Sequence, residues 1–193
     1  MDLTQGTDKS KFARAKKMML WFGIISMVMT FAGLTSAYVV SKNRPDWLTG
    51  FDLPNAFIWS TFVIVGSSIA FFLAKRSIAA SKPKNGTAFL LGTLILALLF
   101  VALQFKGFND IVSQGYYFTG SESTITTSFI YVLVLVHLAH LAGGLIVLLV
   151  VIYNHFKQRY RPGQMLGIEL GATFWHFVDI LWVYLFLFLY FFR

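Results

Sequence analysis

The sequence predicts an all-α polytopic membrane protein, a bundle of five transmembrane helices with its N-terminus in the cytoplasm. Three observations carry this expectation. The chain has 193 residues, 57% of them hydrophobic and 21 of them Phe, so its apolar runs exceed what a soluble fold of this size could bury. Four sections of about 20 or more residues are apolar, Met18 to Val40, Ala56 to Ala74, Ile125 to Tyr153 and Ile168 to Phe192, and each can cross a hydrocarbon core of about 30 Å at about 1.5 Å per helical residue. Thr87 to Phe105 makes a slightly shorter fifth. The connections between these sections alternate in charge, as the positive-inside rule requires.

The first section follows a basic stretch, Lys9, Lys11, Arg14, Lys16 and Lys17. A secretory signal would look similar there, but the apolar part is too long and lacks a small-residue cleavage pattern, so it reads as a retained first helix. Ser26, Thr30, Gly33 and Ala37 recur along it at helical spacing, and Gly66, Ala70 and Ala74 do so in the second section. Small residues on one face let helices approach closely in lipid, so both stripes are expected to pack inside the bundle, with contact to another subunit as the alternative.

The net charge of +8 is spread in a way that excludes a nucleic-acid surface. Lys75, Arg76, Lys82 and Lys84 fill the second connection and Lys157, Arg159 and Arg161 the fourth. The other two connections are poorer, with Lys42 and Arg44 in one and Lys106 in the other, beside Asp46, Asp52, Asp110 and Glu122. The basic ends therefore belong in the cytoplasm. All four prolines, Pro45, Pro54, Pro83 and Pro162, lie in connections, which weakens a small-molecule permease built on broken helices. The longest connection, roughly Lys106 to Thr124, carries Gly115-Tyr116-Tyr117-Phe118, read as an interfacial aromatic belt. Cysteine is absent, which excludes disulfides and thiolate metal sites.

Chemistry concentrates in the last two sections. His137 and His140 are three residues apart on the fourth helix, with Gly144 four further on; Glu169, His176 and Asp179 share roughly one face of the fifth. Counted from the cytoplasmic ends, His140 lies about 20 Å deep, Asp179 about 17 Å and His176 about 12 Å. A mid-membrane carboxylate costs about 3 kcal/mol to insert, so Asp179 is expected to pair with His140 or His137. Glu169 sits near the cytoplasmic boundary, within reach of Arg159, Arg161 or lipid headgroups, and at a helix N-terminus that favours it. The intramembrane set supports a structural polar network, a proton-related or conformational role, or haem or metal ligation, with haem drawn between His137 or His140 and His176. A second axial pair is lacking, since His155 falls in the cytoplasmic connection. No nucleophile with its base, carboxylate-rich metal box or phosphate-cradling loop is present.

These residues carry a resemblance. Gly167, Glu169, Trp175, His176, Phe177, Val178, Asp179 and Trp182 fit, in order and spacing, the G-x-E-x5-W-H-F-V-D-x-x-W pattern of subunit III of the haem-copper terminal oxidases. His137, His140 and Gly144 fit that family's H-x-x-H-x3-G element, Gln104 ends the third helix where the family has Gln, and Ser26, Val28, Met29, Phe31, Ala32 and Gly33 resemble its first-helix S-E-V-M-F-F-A-G run. The chain departs from the family at Met27, which replaces the Glu of that run, at Leu138, which replaces a Gly, and at Gly107-Phe108, where an acidic-aromatic pair is common. Five spans match the short form, which lacks the first two helices of the seven-helix type.

The resemblance implies a non-catalytic subunit that binds no haem, copper or other metal itself. The haems and copper belong to the partner, subunit I, which is the main contact. Subunit II, other oxidase subunits and membrane lipids are further partners, with room for structural phospholipid. His137, His140, His176 and Asp179 would then be a structural polar network and Glu169 a cytoplasmic-side carboxylate, in a multi-pass protein of the cytoplasmic (inner) membrane that supports proton uptake and guards against turnover inactivation. The electron donor, cytochrome c or quinol, is set by other subunits. The alternatives are a subunit III relative attached to a quinol oxidase or nitric oxide reductase, and a membrane cytochrome b binding haem itself.

Overall fold

Lipid offers the peptide backbone no hydrogen-bond partner, so an apolar segment of this length must satisfy its own N–H and C=O groups as a helix. The computed structural model describes residues 8–45, 47–48, 53–118, 120, 124–160 and 164–192. They form five helices, α1 (Asp8–Ser41), α2 (Asn55–Ala79), α3 (Pro83–Ser113), α4 (Ile125–Phe156) and α5 (Leu166–Phe192). All five are long and apolar enough to cross a membrane. Every apolar section expected from the sequence falls inside one of them.

The helices outrun the apolar sections at their ends. α1 begins ten residues before Met18, α2 continues through Lys75 and Arg76, and α3 runs on to Ser113, which turns much of the expected third connection into helix. A helix need not stop where hydrocarbon stops, because its backbone bonds persist in the headgroup layer and water takes the charged side chains. His155 is likewise in the last turn of α4 and buried, not in a connection. Thr87 donates to the Pro83 carbonyl at 3.0 Å and accepts from His155 Nε2 at 2.9 Å, joining the ends of α3 and α4.

Local signals fix the boundaries. Pro83 occupies the first turn of α3, where its missing N–H costs nothing. Thr124 and Thr127 form a reciprocal capping box at the start of α4. α2 and α4 end in six-to-one turns, Lys82 N–H to the Ser77 carbonyl at 3.0 Å and Arg159 N–H to the Asn154 carbonyl at 3.1 Å. Each turn needs a left-handed residue, supplied by Ser81 (φ 57°) and Gln158 (φ 55°). Pro45 and Pro54 lie outside the helices; Pro162 is outside the described residues.

α5 is the hub. It packs on α1, α2 and α4, while α3 packs on α2 and α4. Gly144 receives the Trp175 ring of α5 at 3.4 Å from where a Cβ would lie, and a Cβ on Gly171 would come within 2.9 Å of Val151, so α4 and α5 approach closely here. The α2 stripe does pack internally: Ala74 is fully buried, and Gly66 faces Leu96 of α3. The α1 stripe does not. Ser26, Thr30, Gly33 and Ala37 are exposed, and the inner face is bulky instead, made of Ile24, Met27, Phe31, Thr35 and Tyr38. The Gly115-to-Phe118 segment folds back on α4, where Phe118 lies 5.6 Å from the Tyr131 ring and its carbonyl accepts from Ser128 at 3.0 Å.

Candidate functional site: the polar seams of α5

Hydroxyl pairs seven residues apart, Ser60-Thr61 and Ser67-Ser68, present themselves along one side of α2. Three donors or acceptors of α5 meet them. Trp175 Nε1 donates to Ser67 Oγ at 2.9 Å, Trp182 Nε1 donates to Thr61 Oγ1 at 3.1 Å, and His176 Nδ1 shares a hydrogen bond with Ser68 Oγ. On the neighbouring side Gln104 of α3 donates to Ser60 Oγ at 2.9 Å. These hydroxyls also hold backbone carbonyls of their own helix, Ser60 and Thr61 both donating to Phe57. In lipid, such bonds between helices contribute about 0.6 kcal/mol each on average, up to about 2.

The expected pair of Asp179 with His137 or His140 is not formed. Both carboxylate oxygens of Asp179 are buried without a hydrogen-bond partner, and so are both ring nitrogens of His137. The reason is steric. Trp175 and Trp182, one turn either side of Asp179, fill the seam toward α4, and the Trp182 ring lies 5.1 Å from that of His137. His137 is further enclosed by Phe100, 6.1 Å away. Asp179 instead lines a groove between α2 and α5, of about 430 Å³, together with Ser68 and His176.

The histidines divide among three surroundings. His140 donates its Nδ1 proton to the Val136 carbonyl at 2.8 Å, one turn back, and faces Phe31 of α1 at 5.7 Å. His176 lies against Phe71 and Ser68 of α2. Its ring and hydrogen-bond partners lie on α2, whereas those of His137 are on α3 and α5 and those of His140 on α1 and α4. Among the described residues no cluster of three or more His, Asp or Glu side chains could hold a metal ion. Ser68, His176 and Asp179 are also not a nucleophilic triad, because no hydrogen bond joins the carboxylate to the imidazole.

Glu169 pairs with Lys17 of α1 at 3.1 Å. Its expected cation, Arg159, binds Asn154 Oδ1 at 3.0 Å, and Arg161 lies outside the described residues. Gly167, two residues earlier, is covered by Tyr160, whose hydroxyl would stand 3.0 Å from an added Cβ. Of the apolar residues in the α5 pattern, Phe177 packs on the core and Val178 is fully buried.

The family model described as cytochrome c oxidase subunit III matches residues 4–193. The chain belongs to the cytochrome c oxidase subunit III family. It is similar to the cytochrome bo(3) ubiquinol oxidase subunit 3 of Buchnera aphidicola, 27% identical over 93% of this chain and 88% of that one. A probable cytochrome c oxidase subunit 3 of Nocardia farcinica is 31% identical over 87% of this chain and 83% of its own length. The cytochrome c oxidase subunit 3 of Petromyzon marinus is 29% identical over 86% of this chain, which spans 66% of that longer relative. Membership rests on this chain-long match and not on a His–Asp pair, so the missing pair leaves it intact. Of the chain's departures from the pattern, Gly107 has a steric reason, with the Phe57 ring 2.8 Å from where a Cβ would lie, and Met27 is buried in the bundle.

Sequence reasoning found the α5 pattern and Gln104 but missed their partners, Ser60, Thr61, Ser67 and Ser68. The signal was present in the seven-residue repeat of hydroxyl pairs within an otherwise apolar span.

Proposed function

We propose that the chain is a non-catalytic subunit III of an aerobic haem-copper terminal oxidase in the cytoplasmic membrane. It binds no haem or copper itself, packs chiefly against subunit I, which carries those centres, and has subunit II and lipids as further neighbours. The observation that carries this reading is the family match from residue 4 to 193. The structural setting of the α5 pattern supports it: Trp175, His176 and Trp182 are engaged with α2 side chains, which is scaffold work.

Relatives named for cytochrome c and for ubiquinol both match, so the donor is a property of the partner subunits. The basic segments support a cytoplasmic N-terminus. The Lys17–Glu169 pair sets the basic end of α1 level with the start of α5, so both ends share whichever side the charge pattern assigns. On this orientation Glu169, the lysines around it and the basic connections form a charged rim that supports proton uptake by the partner.

Affinity purification from native membranes, followed by mass spectrometry and optical spectra, tests the proposal. A haem-copper subunit I is expected to co-purify, and the separated chain is expected to show no Soret band. Purification without any haem-copper subunit would overturn it, as would a Soret band in the separated chain lost on His176→Ala.

A further inference from the structure

The groove between α2 and α5 combines two features that lipid cannot reconcile. Its walls are apolar and open to the membrane, with Ile69 57% and Ile180 67% exposed. Its floor holds Asp179, only 2% exposed and with neither carboxylate oxygen hydrogen-bonded. The apolar walls alone say nothing about an occupant, because acyl chains cover Ile and Val as well as a protein does. Asp179 is decisive. It is the central residue of the 27-residue α5, and so lies near the middle of a hydrocarbon layer of about 30 Å. Phospholipids carry their hydrogen-bond donors at headgroup level, about 15 Å from that depth. The neighbouring polar side chains, Ser68 and His176, bond each other, and Ser68 has a single proton to offer, so at least one carboxylate oxygen has no donor within the groove.

A donor must therefore arrive from outside the chain, at mid-membrane, on something that fills a groove running along two helices. We propose that this groove seats a transmembrane helix of another oxidase subunit, and that a side chain on that helix donates a hydrogen bond or ion pair to Asp179. The inference rests on the reading of the chain as an oxidase subunit, and adds to it the face and the residue through which the partner is held. The occupant's chemistry follows from the site. It has small or aliphatic residues where it meets Val65 and Val183, and one Ser, Thr, Asn, Gln, Tyr, Trp, His, Lys or Arg level with Asp179. A burial this deep for a lone acid is rare unless it has a partner.

Photo-crosslinking in the intact complex, in native membranes, tests this. A benzophenone amino acid is placed at Ile69 or Val183 in the groove and, as a control, at Ile146 on the outer face of α4, 64% exposed. The two groove probes are expected to capture the same transmembrane segment of a partner subunit, with a donor residue at the level of Asp179, and the control is not. In a probe-bearing chain, Asp179→Leu is expected to cut that crosslink about tenfold, on the order of one good interhelical hydrogen bond in lipid. Asp179→Asn, which still accepts a hydrogen bond, is expected to keep most of it. Groove probes that capture only lipid or another lipid-soluble small molecule would overturn the proposal, as would a captured segment without a donor. If the complex still purifies but crosslinks through Ile146 alone, the oxidase reading survives and this inference fails.

Discussion

Replacing Gly107 with alanine isolates one steric requirement of the bundle. The new Cβ would sit 2.8 Å from Phe57 Cε1 and 2.9 Å from Cζ, against an ordinary carbon contact of about 3.5–4.0 Å. Phe57 cannot swing clear. Its side chain is 1% exposed and is boxed in by Phe108 at 6.4 Å and Trp182 at 6.0 Å. Overpacking of this kind costs about 1–3 kcal/mol, and little is regained from helix propensity because the unpacked reference state in lipid is already helical. Gly107→Ala should therefore destabilise by about 1–2 kcal/mol in equilibrium unfolding in mixed detergent micelles, followed by tryptophan fluorescence. Phe57→Leu, which removes the offending ring edge, should rescue part of that loss. The double variant is expected to be more stable than the sum of the single effects by about 1 kcal/mol, beyond the ~0.3–0.5 kcal/mol of ordinary additivity error. A neutral Gly107→Ala, or strict additivity with Phe57→Leu, would refute the steric argument.

Other outcomes follow from single observations. Ser81→Gly and Gln158→Gly should each stabilise by up to ~1 kcal/mol in the same unfolding assay, since both residues hold left-handed backbone at helix ends; loss of stability in both would contradict the capping account. The Lys17–Glu169 pair has side chains 52% and 40% exposed, so Lys17→Ala should cost less than ~1 kcal/mol and the effect should shrink as salt is raised. Burial pushes the Tyr160 phenol above its ordinary 10.0. A raised folded value means that this contribution to stability is complete below about pH 10 and is lost as pH climbs through the folded pKa. Tyr160→Phe should accordingly flatten the alkaline fall in stability, and an unchanged slope would show that Tyr160 is not its source.

Much of the fold was legible because insertion into lipid demands about 20 apolar residues per helix, and the chain spells out five such sections. Helix ends were less so. Hydropathy marks where hydrocarbon ends, while α3 runs on to Ser113 on backbone bonds that no hydropathy change reports, and α2 and α4 end just before the left-handed Ser81 and Gln158 with no glycine to announce it. The α1 stripe misled for a related reason: small residues are needed only where axes come close, and α1 meets its neighbours through Phe31 and Tyr38 instead. At the site, residue identities could be read from the ordered pattern, but partners could not. Depth put Asp179 level with the α4 histidines, yet azimuth decides contact. The indoles of Trp175 and Trp182 occupy the α4 seam, leaving Asp179 beside Ser68 and His176.

The central claim is that the α5 pattern works by fastening α5 to the hydroxyls of α2. A double-mutant cycle across Trp175 and Ser67, joined at 2.9 Å, tests it most directly, using Trp175→Phe and Ser67→Ala in the intact oxidase and reading retention of the chain through graded detergent. The account predicts a coupling energy of about 0.5–1.5 kcal/mol, with either single change costing nearly as much as both together. Two independent losses that simply add would contradict it.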